Sequence, residues 1–275
     1  MAGLRGLVVY LGRMYIRSRL FFLINVLVLL LTLLLGYLGY RTISVRGFDS
    51  LSYVIQRLQG IEKEYLVYFL WSVPGQLLIY IIPVIMASGV FSSDYESGES
   101  AIYFSYPVNW SSIVFAKVFV AFMVSLLPFL VFEAMEGILL TVYFHTPPPA
   151  AFYLAVLLAV PVIFAVCSMT GLISSILRKT MSSTVVSMII LVVIFNIVNA
   201  FFLLSGTPEP AYLLSNDISL VSKAFSQINL IPFGNAGSVG PAPLPFLISG
   251  AFYALLYSVV SLLAIIIITD RRDAA

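Results

Sequence analysis

Six apolar runs, each long enough to cross a bilayer, constrain this chain more than any other feature. They cover roughly residues 20–40, 66–91, 112–144, 151–177, 182–205 and 244–268. A helix needs about 20 such residues to span the hydrocarbon core. Lipid offers no partner to a backbone N–H or C=O, so a spanning segment satisfies its own as a helix or belongs to a closed barrel. No ten-residue alternation of apolar and polar positions points to a barrel. The chain is 61% hydrophobic and 9% charged, against about 25% charged for a soluble domain. The expected fold is therefore an all-α integral membrane protein, one transmembrane domain over residues 1–275. No small-x-small cleavage pattern follows the first run, which reads as an uncleaved span.

Lys and Arg set the orientation. With the N-terminus inside, Arg5, Arg13, Arg17, Arg19, Lys117, Arg178, Lys179, Arg271 and Arg272 lie on the inner side, nine in all. Arg41, Arg46, Arg57, Lys63 and Lys223 lie outside, which is five. Both termini are thus expected in the cytosol, at the plasma membrane. Residues 3–19 form a separate element before the first span. Leu4, Leu7, Val8, Leu11 and Tyr15 share one helical face, and Arg5, Arg13 and Arg17 fall opposite. This pattern predicts an amphipathic helix lying on the inner leaflet. Two outer connections are long. Residues 41–65 carry a helical pattern at Leu51, Val54, Ile55 and Leu58, and residues 206–243 hold an apolar run from Leu220 to Ile231. Short outer helices are expected, notably before the last span.

Several functions are excluded by what the chain lacks. No Gly-Lys dipeptide occurs, so there is no phosphate loop for ATP. One cysteine, Cys167, and one histidine, His145, make neither a zinc site nor a disulfide within the chain. A Ser-His-Asp triad is equally unsupported. No basic patch interleaved with aromatics suggests nucleic acid. No internal repeat marks an inverted-repeat transporter.

The polar interruption at residues 92–111 is the most specific stretch. Asp94, Glu96 and Glu99 suit the positive end of a short helix, which Ser93 or Asp94 would cap. Gly98 permits a tight bend or the close approach of another chain. Ile102, Tyr103 and Tyr106 give an apolar side, and Pro107 ends the turn. By orientation the segment faces the cytosol. Read from its residues alone, it is either an ordinary polar connection or a docking element.

The order of an acidic group, Gly98, an amphipathic turn, Pro107-Val108 and then Lys117 resembles the signature of ABC-2 type membrane permeases. Gly98 to Pro107 is nine residues and Pro107 to Lys117 is ten. Glu99 stands where that family usually has Thr, and Ala116 where it usually has Gly. The six spans, the leading helix, the long outer segment and the basic C-terminus at Arg271-Arg272 fit the same family. The resemblance implies that residues 92–107 are a coupling helix docked on a separate ABC ATPase. Asp94, Glu96, Gly98, Glu99, Tyr103 and Pro107 would form that contact. It also implies a second permease copy or a paralogue as partner. ATP and magnesium would reside on the ATPase, with no cofactor and no catalysis in this chain.

Glu133 and Glu136 lie one turn apart in the third span. Twenty-one residues from Ser112, at about 1.5 Å each, place Glu133 roughly 30 Å along the helix, in its outer half. An acid within a span is a functional candidate by default. The pair either lines a translocation path or snorkels to outer water and headgroups. Asn196 and Asn199 in the fifth span either bond across helices or line the same path. Ser168, Gly171 and Ser175 in the fourth span suit close helix packing. The expected function is the permease subunit of an ABC transporter, an exporter driven through residues 92–107. The alternative is a secondary transporter or channel using Glu133 and Glu136 for protons or cations.

Overall fold

The computed structural model describes residues 2–45, 63–97, 109–205, 212–225 and 242–273. These residues are helical apart from short turns and caps. Helix α1 covers Ala2–Ile16, α2 Arg19–Val45, α3 Lys63–Ser97, α4 Trp110–Phe144 and α5 Ala150–Leu177. Helix α6 runs from Thr180–Met188 through a π-helical stretch, Ile189–Ile194, into Phe195–Leu204. Helix α7 covers Leu214–Lys223 and α8 Leu244–Asp273. Among the described residues, six helices are long and apolar enough to cross a membrane: α2, α3, α4, α5, α6 and α8. The all-α, six-span architecture expected from the apolar runs is the architecture observed.

The bundle has a centre and a perimeter. Helices α3, α4 and α5 pack against one another, and α8 lies along α5. Their interface buries Tyr68, Ile79, Phe129, Ile163 and Leu247. In the most apolar stretch of α4, 67% of residues are buried, against 17% in α2 and 11% in α6. Helices α2 and α6 instead expose Phe22, Leu30, Ile197 and Phe201. Exposed apolar surface on this scale requires lipid or another subunit around it.

Prolines sit inside these helices, at Pro74 and Pro83 in α3, Pro128 in α4 and Pro161 in α5. Spanning helices tolerate them because neighbouring helices supply the packing and the lost bonds are few. Two turns close without glycine. His145 and Arg178 adopt left-handed conformations (φ 55° and 57°), and each returns its N–H to the helix before it, on Thr141 and Ser174 at 2.9 Å. Only Arg178 and Lys179 separate α5 from α6, so the two helices run antiparallel as neighbours.

Gly171 shows how closely α5 meets α3. A Cβ there would fall 2.7 Å from the Phe91 ring, so only glycine lets the ring come this close to the helix. The apolar stripe of α1 packs onto the bundle. Leu11 is buried, and Leu4, Leu7, Val8 and Tyr15 pack with it against Ile82, Met86, Ala116 and Val120 of α3 and α4. The stripe covers protein, while Arg5, Arg13 and Arg17 remain exposed. Among the described residues one short helix, α7, precedes the last span, and its apolar side turns into the bundle. Leu214, Ile218, Leu220 and Val221 are buried against α3, α5 and α8. The pattern expected at Leu51, Val54, Ile55 and Leu58 lies outside the described residues.

Candidate functional site

The polar segment after the second span begins inside a helix. Helix α3 does not stop near residue 91 but continues to Ser97. Ser93, Asp94 and Glu96 therefore occupy its last turns, not the first turn of a separate short helix, and the capping role expected of Ser93 or Asp94 is absent. A continuous helix wins here because Ser92, Ser93, Asp94 and Glu96 in those turns all find partners on neighbouring helices. Gly98, Glu99, Tyr103 and Pro107 lie outside the described residues.

Those partners converge on the Asp94 end of the bundle. Asp94 is almost fully buried and forms a salt bridge of 2.8 Å with Lys117, which lies two turns into α4. The Lys117 ammonium also lies 5.8 Å from the centre of the Phe91 ring and 5.7 Å from that of Tyr95. Arg178, from the turn between α5 and α6, covers Tyr95 at 5.2 Å. Cations over aromatic faces at this range are attracted by the ring quadrupole. Glu96 accepts two bonds from Thr180, from its N–H at 2.8 Å and its hydroxyl at 2.9 Å. Lys179, the N-cap of α6, has no side-chain cap of its own, so Glu96 caps that helix from another element.

Hydroxyl contacts extend the junction. Ser88 pairs with Thr184 at 2.6 Å and Ser92 with Ser183 at 3.3 Å, which ties α3 to α6. The Tyr15 hydroxyl shares a bond of 2.6 Å with Ser93 and donates to the Gly89 carbonyl at 3.2 Å, which ties α1 to α3. The end of α3 is thus fastened to α1, α4 and α6, and through Arg178 to the end of α5.

The profile of the ABC-2 family transporter proteins matches residues 12–269. The chain belongs to that family. No curated protein gives a significant match. An ABC-2 transporter protein with six spanning helices is a multi-pass membrane permease.

The other candidate residues of this permease lie elsewhere. Glu133 and Glu136 are buried in α4, 5% and 2% exposed. The Glu133 Oε1 has no hydrogen-bond partner, and a Cβ on Gly75 of α3 would lie 3.5 Å from it. Glu133 therefore points inward at α3 and does not snorkel. Asn196 is exposed on α6 and donates to the Val192 carbonyl at 2.6 Å, within its own helix and beside the π-helical stretch. The Asn199 Oδ1 is buried without a partner. The glutamates and the asparagines thus sit on separate helices.

Asp217 in α7 carries no sequence motif, yet it is fully buried and neither carboxylate oxygen has a hydrogen-bond partner. A Cβ on Gly250 of α8 would sit 3.0 Å from its Oδ1. Burial pushes its pKa up to about 8, although the charge of Lys223 pulls the other way. The available signal was a single acid on the apolar side of an amphipathic stretch, at Leu213, Leu214, Asp217, Ile218, Leu220 and Val221. The pairing of Asp94 with Lys117 had no sequence signal, because 23 residues separate them.

Proposed function

We propose that this permease is the membrane half of an ABC exporter at the plasma membrane, with both termini in the cytosol. A separate ABC ATPase docks on the connection from residue 92 to residue 107, and a second permease copy or a paralogue completes the membrane part. ATP and magnesium act on the ATPase. Closure of the ATPase pair pushes the connection, and the push reaches the spans through the base of that connection.

The buried Asp94–Lys117 bridge is the observation that supports this reading most. A loop between two spans needs no internal ion pair to stay folded. A loop that transmits force needs a stiff base, and a buried ion pair at this distance holds its two helices close. Glu96 belongs to this base as well, since Thr180 occupies both its carboxylate oxygens. Gly98, Glu99, Tyr103 and Pro107 are the remaining residues offered to the ATPase.

The test is co-purification of the permease with its ATPase, followed by ATP-driven transport in reconstituted vesicles. Gly98→Trp and Glu99→Arg are expected to lose the ATPase while keeping the wild-type unfolding temperature. Full binding and full ATP-driven transport in both variants would contradict the coupling role. A secondary transporter using Glu133 and Glu136 has one observation in its favour, the unpartnered Glu133 oxygen. It predicts transport that follows an ion gradient without any ATPase and is lost in Glu133→Gln/Glu136→Gln.

A further inference from the structure

A cavity of about 350 Å³ opens between α4 and α5, lined by Leu130, Glu133, Ala134, Tyr153 and Leu157 among others. Tyr153 and Leu157 are 60% and 67% exposed, and Ala134 is exposed as well. The mouth therefore opens sideways, on the apolar perimeter of the bundle where lipid lies, and not at a polar end. The walls are hydrocarbon apart from one phenol and one carboxyl. That carboxyl belongs to Glu133, which is 95% buried by its 5% exposure and has an oxygen without a hydrogen-bond partner.

A carboxylate in so apolar a setting is stabilised only by a nearby positive charge or by donors. Nothing on α4 supplies them. Its one cation, Lys117, is committed to Asp94, and sixteen residues put it about 24 Å away along the helix. Glu136, one turn on, adds a second buried carboxyl to the same helix face, which further favours a cation over an anion. We propose that this cavity binds a lipophilic cation, an amine with an apolar tail, that enters sideways from the bilayer. Its ammonium pairs with Glu133, and its tail lies along Leu130 and Leu157. The proposal rests on the transport reading in that it names the cargo class of the same permease.

The test uses the full-length permease, without ATPase, in nanodiscs of phosphatidylcholine, whose headgroups carry no net charge. Two photoactivatable probes of equal chain length are compared, a diazirine-bearing decylammonium and the corresponding decanol, with labelled residues mapped by mass spectrometry. The amine is expected to label Leu130, Tyr153 and Leu157 at least about tenfold more than the alcohol. Glu133→Gln lowers amine labelling to the level of the alcohol. Ala134→Phe, at an exposed position where a larger side chain folds, fills the cavity and lowers both. Excess unlabelled decylammonium, but not decanol, competes on the unaltered protein, which serves as the check if a variant fails to fold.

Equal labelling by the two probes would reduce the cavity to a groove for lipid tails and overturn the proposal. Unchanged amine labelling in Glu133→Gln would do the same, and so would chain-to-chain cross-links through these residues. Because binding is read without the ATPase, a failure of the coupling reading leaves this result standing, and the reverse holds equally.

Discussion

Asp94 on α3 and Glu133 on α4 are both buried carboxylates. Asp94 has Lys117 at 2.8 Å and sits in a junction where hydroxyls, aromatic rings and a helix cap all find partners. Glu133 has Gly75, Phe132 and a mostly apolar cavity around it, and one of its oxygens has no partner at all. Burial is nearly equal and the outcome opposite. The difference lies in what the facing helix offers. At one end the protein completes the polar network and stiffens. At the other it leaves a group unsatisfied, which is costly in so apolar a setting.

The comparison can be broken by removing one partner at each end. Lys117→Met leaves Asp94 buried and uncompensated, and the permease is expected to lose about 3–5 kcal/mol of stability in thermal or denaturant unfolding. Asp94→Asn/Lys117→Met recovers most of that loss, because no lone charge remains. A single variant no less stable than the wild type would mean that the bridge does not hold the junction. Glu133→Leu should act with the opposite sign. Deleting a buried carboxyl without a partner is expected to raise stability by about 1–3 kcal/mol in the absence of any amine. A loss of that size would show that the protein itself satisfies Glu133.

Asp217 sharpens the contrast through pH. Its folded pKa, about 8, stands above its ordinary 3.8, so the folded protein holds a proton that the unfolded chain releases. The associated stability is present in full below pH 4 and is lost as pH rises through 8. The slope is at most about 1.4 kcal/mol per pH unit. Unfolding temperatures of the wild type are expected to fall between pH 5 and pH 8, and Asp217→Asn should flatten that decline. An unaltered slope in the variant would assign the effect to another group. The smallest effect belongs to Glu96→Ala, which removes the cap that α3 lends to α6. It should cost about 1 kcal/mol, read as a small drop in unfolding temperature.

Helix count and class were legible because a spanning helix writes itself as an apolar run of fixed length, independent of its neighbours. The chemistry of the connection after the second span was legible in part. Asp94, Glu96 and Lys117 stand out in so apolar a chain, but their roles do not. The sequence suggested that the first two open a short helix. The structure spends them inside α3, on Lys117 and Thr180, because partners more than 20 residues away complete the helix end. The stripe of α1 was read correctly as apolar, yet whether it meets lipid or protein depends on where α3 and α4 lie, and no periodicity encodes that.

Sequence alone therefore determined the solvent of this protein, its six spanning helices and its family. Each follows from local composition and from spacings within one stretch of chain. Only the tertiary structure decided which buried carboxylate has a partner. A charge pair depends on which residues face each other across helices, and that distance is not written along the chain.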